Sequence, residues 1–206
     1  MIRKINSLRR FSVSFVLAVS AGLATLILAP ASRAQESIVQ LDPAQTKIEF
    51  SLAGNMHTVH GKFALKSSTI RFDPSSGKIS GAIVVDAASG ESGNDGRDKK
   101  MHREILESAN FPEIVFTPMQ MTGAVAANGA SKVEVSGRIR LHGQEHDMTL
   151  PIDIQADGRS LQIATHIEIP YVEWGMKNPS NFFLRVNKEV AIDIHAAGRM
   201  QSGGSP

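Results

Sequence analysis

Apolar and polar residues alternate along most of the chain from residue 38 onwards. "TKIEFSL" places Ile48, Phe50 and Leu52 on one face, "KFALK" places Phe63 and Leu65, and "TIRFD" places Ile70 and Phe72. "KISGAIVVD" gives Ile79, Gly81, Ile83 and Val85, and "EIVF" gives Ile114 and Phe116. "KVEVSGRIRLH" continues with Val133, Val135, Gly137, Ile139 and Leu141, and "HDMTLPIDI" with Met148, Leu150, Ile152 and Ile154. Leu161, Ile163, Ile167 and Ile169 follow in "SLQIATHIEI", then Val190, Ile192, Ile194 and Ala196 in "EVAIDIHA". A period of two is that of a strand with one face against a core. Turn signals punctuate these runs: Asp73-Pro74-Ser75-Ser76-Gly77, Asn128-Gly129, His142-Gly143 and Asp157-Gly158. The pattern predicts a mainly β domain, an antiparallel sandwich or barrel, and does not choose between them.

One segment breaks the period. In "GRDKKMHREILESANFPE", Met101 and Ile105 stand four apart with Leu106 beside them, and Pro112 ends any helix. This predicts one short helix over residues 97–108. The stretch before it, "AASGESGNDG" (residues 87–96), reads as a flexible glycine-rich loop, and "QSGGSP" (residues 201–206) as a disordered tail. No internal repeat or second domain is visible, so residues 35–200 are taken as one domain.

The first 34 residues have a different character. Arg3, Lys4, Arg9 and Arg10 precede an almost wholly apolar run of 19 residues, Phe11 to Ala29, and Ser32 and Ala34 supply small residues before Gln35. That is the pattern of a secretory signal peptide, implying a periplasmic or secreted protein. The apolar run is long for a signal and could nearly span a bilayer if retained as an anchor. The whole chain has a formal net charge of +2, but its first 34 residues hold five basic and no acidic residues. The other 172 residues therefore carry 17 basic against 20 acidic, a net charge of −3. The basic balance belongs to the leader and does not point to nucleic acid. With no cysteine, disulfides, thiol chemistry and a lipid-modified cysteine are excluded.

Candidate chemistry is sparse. His57 and His60 lie three apart, on opposite faces if the segment is extended, so a shared metal requires a turn. His142 and His146 flank "GQE", a tight turn that could bring their rings together. No metal-ligand spacing and no H-E-x-x-H is present, and His102, His166 and His195 sit among polar or outward positions. Ser89, Ser92, Asp95 and Asp98 cluster in sequence without a nucleophile elbow. Gly90, Gly93 and Gly96 lack the strand-to-helix context and lysine of a phosphate loop.

The apolar face is aliphatic, with Phe50, Phe63, Phe72, Phe111, Phe116 and Trp174 spread through it. A plain filled core explains that composition, but an eight-stranded barrel is wide enough either to fill with side chains or to hold one ligand. Ten ligand methylenes at about 0.8 kcal/mol each give about 8 kcal/mol, near the micromolar range before ordering costs. An apolar tail could thus be held with few polar contacts.

Several stretches together resemble the YceI-like family of exported, lipocalin-like, polyisoprenoid-binding proteins. They are the strand leading into "VHGKF" (Phe50 to Phe63), "SSTIRFDPSSGKISGAIVVD" (Ser67 to Asp86) and "GRDKKMHREILESANFPEIVFTP" (Gly96 to Pro118). "VSGRIRLHGQEHDMTLPI" (Val135 to Ile152) and "VEWGMKNPSNFFLRVNKEVAIDIHAAG" (Val172 to Gly198) complete the ordered set. The resemblance implies a lipocalin-like antiparallel barrel of eight strands with one short helix, enclosing an apolar tunnel. Its ligand would be an isoprenoid (quinone or polyprenyl) or a fatty-acyl lipid, with no cofactor, no catalysis and no nucleic acid. Homodimers occur in some members, and lipid exchange would involve transient membrane contact.

Carried onto this chain, the implied lipid-binding residues are Phe50, Leu52, Phe63, Phe72, Ile83, Val85, Met101, Ile105, Phe116, Ile139, Leu150, Ile163, Trp174 and Ile192. Arg97 and Asp98 match the charged pair before the family's helix, where Asp98 is expected to act as the N-cap. "AGNMHTVHG" and "YVEWGMKNPSN" depart from the family pattern. Both are expected at the tunnel mouth, which places His57 and His60 at a strand junction without a metal. Two alternatives stand beside the carrier reading. One is a hydrolase-like or metal-dependent enzyme using His57, His60, His142 or His146; the other is a ligand-free envelope stress or interaction barrel.

Overall fold

In a computed structural model of the chain, residues 36–202 are described. The expected export signal at residues 1–34 lies outside them. Nine strands form one antiparallel sheet: β1 Ser37–Leu41, β2 Lys47–Leu52, β3 Val59–Phe72, β4 Ile79–Glu91, β5 Glu113–Thr122, β6 Asn128–Leu141, β7 Gln144–Asp157, β8 Ser160–Ile169 and β9 Val190–Ser202. The order β1-β3-β2-β9-β8-β7-β6-β5-β4 closes on itself through β3–β4 and β1–β9 pairing.

β1 and β2 are two halves of a single stave. Both run between β3 and β9, β1 against Ile70–Phe72 and Gly198–Ser202, β2 against Val59–Phe63 and Ala191–His195. A 3₁₀ turn at Pro43–Gln45, capped by Asp42 Oδ1 accepting from Ala44 N–H at 2.9 Å, separates them. The described residues therefore form a closed barrel of eight staves, and closure leaves no sheet edge exposed along its full length.

Its stagger can be followed from ladder to ladder. From His146 the registered partners are Ile139, Phe116, Ile83 and Ser68. Ser68 Oγ accepts from Leu41 N–H at 2.9 Å, and Gly198 and Leu161 lead back to β7 at Ala156, ten residues from the start. An eight-stranded barrel with a shear of eight tilts its strands by ~36°. A shear of ten tilts them further and widens the lumen.

The strand faces follow the alternation except where register shifts change its phase, as on β3 and on β5, where buried Phe116 and Pro118 give way to Met121 beyond the Pro118–Gln120 shift. "KFALK" and "TIRFD" belong to a single strand, β3, whose register with β4 shifts between Leu65 and Ser67. The inner face passes from odd to even positions there, so Ser68 is buried in line with Ile70 and Phe72. A bulge inserts a residue and flips the alternation.

The glycine-rich acidic stretch is not a loop over its whole length, because β4 runs to Glu91. The helix is also displaced from its predicted span. α1 covers Asp95–Lys100 and continues as a wider π turn over Met101–Ile105, where Leu106 N–H donates to Met101 O at 2.9 Å. β9 reaches Ser202, two residues into the segment expected as a tail; residues 203–206 lie outside the described ones.

Candidate functional site

Cross-strand partners share a face, which defines the inner wall. Of the residues expected to meet a ligand, Phe50, Phe72, Phe116, Ile139 and Leu150 are buried. Leu52, Phe63, Ile83, Val85, Met101, Ile105, Ile163, Trp174 and Ile192 are half-buried. Phe72, Phe116, Ile139 and Leu150 belong to one apolar cluster, against which Leu52, Ile83, Ile105, Ile163, Trp174 and Ile192 pack. Phe50 and Phe63 form a tilted ring pair at 5.5 Å. Gly90 brings Phe63 and Met101 together, since a Cβ there would touch both side chains. Val85 pairs with Leu65 on β3 and Ile114 on β5. No large side chain among the described residues is less than 2 % exposed. A small barrel filled by its own side chains packs them to crystal-like density. This wall keeps accessible aliphatic surface instead.

Two polar atoms stand on the wall, one from Thr165, which the sequence did not single out, and one from His146, which it offered only as a catalytic or metal-binding candidate. Thr165 Oγ1 and His146 Nε2 are buried without a hydrogen-bond partner. Parity carried the signal for both: Thr165 falls in step with Ile163 and Ile167, and His146 with Met148 and Leu150.

The helix is held at one end of the barrel by its charged pair. Asn94, not Asp98, is the N-cap, its Oδ1 accepting from Arg97 N–H at 2.9 Å. Asp98 reaches back to Ser92, accepting from its N–H at 3.0 Å and from its hydroxyl. Arg97 donates to Ser92 Oγ at 2.7 Å and to Ser92 O at 2.9 Å. Burial alone would raise the Asp98 pKa, but the Ser92 donors and the Arg97 charge outweigh it and the net shift is downward. His102 secures the next turn. Its Nε2 lies 2.8 Å from Gly90 O, which only accepts, so Nε2 carries the proton and Nδ1 accepts from Ser108 Oγ at 3.1 Å.

The same barrel end carries the β2–β3 loop, the helix, the β6–β7 turn and the long connection from Pro170 to Glu189. Lys177 of that connection donates to Glu104 at 3.1 Å. The Arg103 guanidinium first, and Lys177 after it, hold the Glu104 carboxyl pKa down at about 2. Tyr171 is buried, which pushes its phenol pKa up, and its hydroxyl donates to Asn187 O at 2.7 Å. Thus "AGNMHTVHG" and "YVEWGMKNPSN" do share one end of the barrel.

The histidines do not converge. His142 and Gly143 are themselves the two-residue turn, with φ of 51° and 75°, as a type I′ hairpin requires. His142 packs on Phe111 at 4.7 Å, whereas His146 stacks on Trp174 at 4.1 Å with the rings 4° from parallel. His60 Nδ1 meets Ser51 Oγ at 2.9 Å, and His57 is exposed in the β2–β3 loop. Among the described residues no three His, Asp or Glu side chains gather as a metal site would require. Two concavities lie outside the barrel. One of about 520 Å³ is lined by Asp95, Asp98, Lys99, His102, Arg103, Ser108 and Ala109. The other, of about 280 Å³, lies between β2, β3 and the end of β4. Neither is lined by the inner-wall residues.

An eight-stave antiparallel barrel with an aliphatic inner wall and one end dressed by a helix and loops is a lipocalin-like fold. The YceI-like domain family matches residues 39–197, and the chain belongs to it. No curated protein sequence matches. Among solved structures it is similar to BcnA of Burkholderia cenocepacia, at 17% identity and a TM-score of 0.62, over 76% of this chain and 98% of that one. It is likewise similar to a polyisoprenoid binding domain from Saccharophagus degradans implicated in plant cell wall breakdown. That match has 15% identity and a TM-score of 0.61, over 79% of this chain and 98% of that one. A YceI protein of Campylobacter jejuni follows at 17% identity and 0.53, over 71% and 84%. At these identities the likeness concerns the fold.

Proposed function

We propose that this chain is a non-catalytic carrier, working outside the cytoplasm, that takes the tail of a long-chain isoprenoid or fatty-acyl lipid into its barrel. The observation that carries the reading is the inner wall, where Ile83, Ile105, Ile163, Ile167 and Ile192 face inward yet keep accessible surface. A shear of ten widens the lumen for such a tail, and the apolar wall rewards each methylene it receives by about 0.8 kcal/mol. His146 Nε2 and Thr165 Oγ1 offer isolated polar points on that wall. The polyisoprenoid-binding name of the Saccharophagus degradans domain supports the ligand class. The basic and apolar leader supports export.

The test is to purify the protein without detergent, extract it with organic solvent and identify what is released by mass spectrometry. One dominant prenyl or acyl lipid near one per chain is expected. An empty extract, with no uptake of added quinone or fatty acid, would overturn the reading. Ile83→Lys and Ile163→Lys place a charge on the wall and are expected to lower uptake by about tenfold or more in protein that retains its thermal transition. Unchanged uptake would remove these two positions from the binding surface. Fractionation of cells for the processed protein checks the export.

A further inference from the structure

The β2–β3 loop and the long connection before β9 are joined at their tips. Gly54 and Val186 form an antiparallel bridge, and Asn55 N–H donates to Arg185 O at 2.9 Å. Arg185 N–H donates back to Asn55 Oδ1 at 3.0 Å, and Asn55 Nδ2 donates to Phe183 O at 3.1 Å. Asn181 shapes the turn itself. Its Oδ1 accepts from Phe183 and Leu184 N–H at 3.0 and 2.8 Å, and its own N–H donates to Leu184 O at 2.7 Å. Residues 181–187 are therefore a hydrogen-bonded turn tied to a second loop.

What this turn presents to solvent is apolar. Phe182 and Phe183 are 90% and 80% exposed, with their rings edge to face at 5.2 Å, and Met56 on the joined loop is 73% exposed. Exposed apolar side chains gathered within a polar rim mark an interaction surface. The rim here is cationic. Residues 53–58 and 177–189 contain Lys177, Arg185 and Lys188 against the single carboxylate Glu189, although the chain after residue 34 is net −3. Lys177 reaches Glu104, while Arg185 and Lys188 follow the phenylalanines in sequence.

We propose that this tip docks on a bilayer bearing anionic headgroups. Phe182, Phe183 and Met56 enter the boundary between headgroups and acyl chains, and Arg185 and Lys188 meet the phosphates. Local positive charge on a negative protein draws the tip to an anionic surface. The same features disfavour a second copy as the occupant, because a rim in which cations outnumber acids is poorly self-complementary. Docking at this end would place the helix and long connection at the membrane. The proposal does not depend on the identity of the cargo.

The absence of cysteine makes single-site labelling possible in the full chain. Met56→Cys places an environment-sensitive nitrobenzoxadiazole dye at the tip, and Ser160→Cys places it on the exposed first residue of β8, beside the β7–β8 turn at the opposite end. With phosphatidylcholine vesicles containing phosphatidylglycerol, the tip dye is expected to shift to the blue and to be quenched by brominated acyl chains. The dye at position 160 is expected to do neither. Tethering by the apolar run Phe11 to Ala29 would act on both labels alike, so the difference reports insertion of the tip. Adding Phe182→Ser and Phe183→Ser should abolish the response, and Arg185→Glu with Lys188→Glu should weaken it on the order of tenfold on anionic vesicles alone. The proposal is overturned if the two labels respond alike, if the tip dye stays silent, or if the serine variant responds as the parent does. A dimer lost on Phe182→Ser and Phe183→Ser, with no vesicle response, would assign the surface to a second copy.

Discussion

Directly across the ladder from Phe50, Gly61 leaves the space that the phenyl ring occupies; a Cβ there would overlap both the ring and the Glu91 carbonyl. Gly61→Ala is therefore expected to destabilise the barrel by about 1–3 kcal/mol, through a displaced Phe50 or a displaced strand, and a denaturant titration measures it. Asp73 makes an electrostatic point at the same scale. Its carboxylate accepts from Ser75 N–H at 2.9 Å, Ser75 Oγ at 2.7 Å and Ser76 Oγ at 2.6 Å. These donors favour the charged form and lower its pKa from 3.8 to about 2, the Ser76 hydroxyl contributing most. Because the folded value is depressed, the stabilisation is present above about 3.8 and is lost as pH falls through about 2. Carboxyl NMR should find the Asp73 midpoint near 2, and Asp73→Asn should remove its share of the acid dependence. A midpoint at the ordinary value would refute the arrangement of the turn.

At the scale of elements, Asn94→Ala should cost about 1 kcal/mol by leaving Arg97 N–H without its cap. Asp98→Ala should instead detach the helix from β4 by freeing Ser92. Exchange of the Ser92 amide distinguishes the two, since only the second variant unprotects it. The confusion of these residues in the sequence is instructive. Both are cap-type side chains, and propensity does not say which one turns back to a strand end. Strand faces were legible because a half-buried strand must alternate. The phase change at Leu65–Ser67 was not, because a bulge leaves no compositional mark beyond small polar residues. Glycine misled at 87–96: Gly90 lies within β4, where its missing side chain admits Phe63 and Met101. The wall residues were recognisable from parity and resemblance, and Thr165 and the inward facing of His146 could have been found by the same parity. The tip was not, because exposure of Phe182 and Phe183 is decided by the hydrogen bonds of Asn55 and Asn181 across two distant loops.

At the scale of the molecule, the barrel is closed but not zipped along every stave. β7 is laddered to β6 along its whole length, yet meets β8 only from Asp153 to Asp157, while Thr165 to Ile169 continue with β9. The parting comes two residues after Pro151, which has no N–H to donate and is tolerated where one side of the strand carries no ladder. Pro118 stands just beyond the corresponding limit between β4 and β5. The unladdered stretch of β7 and β8 brings Leu150, Ile152, Thr165 and Ile167 to a seam whose inner side is the proposed lipid wall. A seam between two strands opens at less cost than a laddered pair, because no backbone hydrogen bonds must break. Pro151→Thr returns the N–H and a strand-favouring side chain. It should extend the β7–β8 ladder, slow amide exchange at Thr165–Glu168 and slow lipid uptake, with little change in final affinity. If the amides become protected while uptake keeps its rate, the tail enters through the end dressed by the helix and loops, and the seam is only a structural discontinuity.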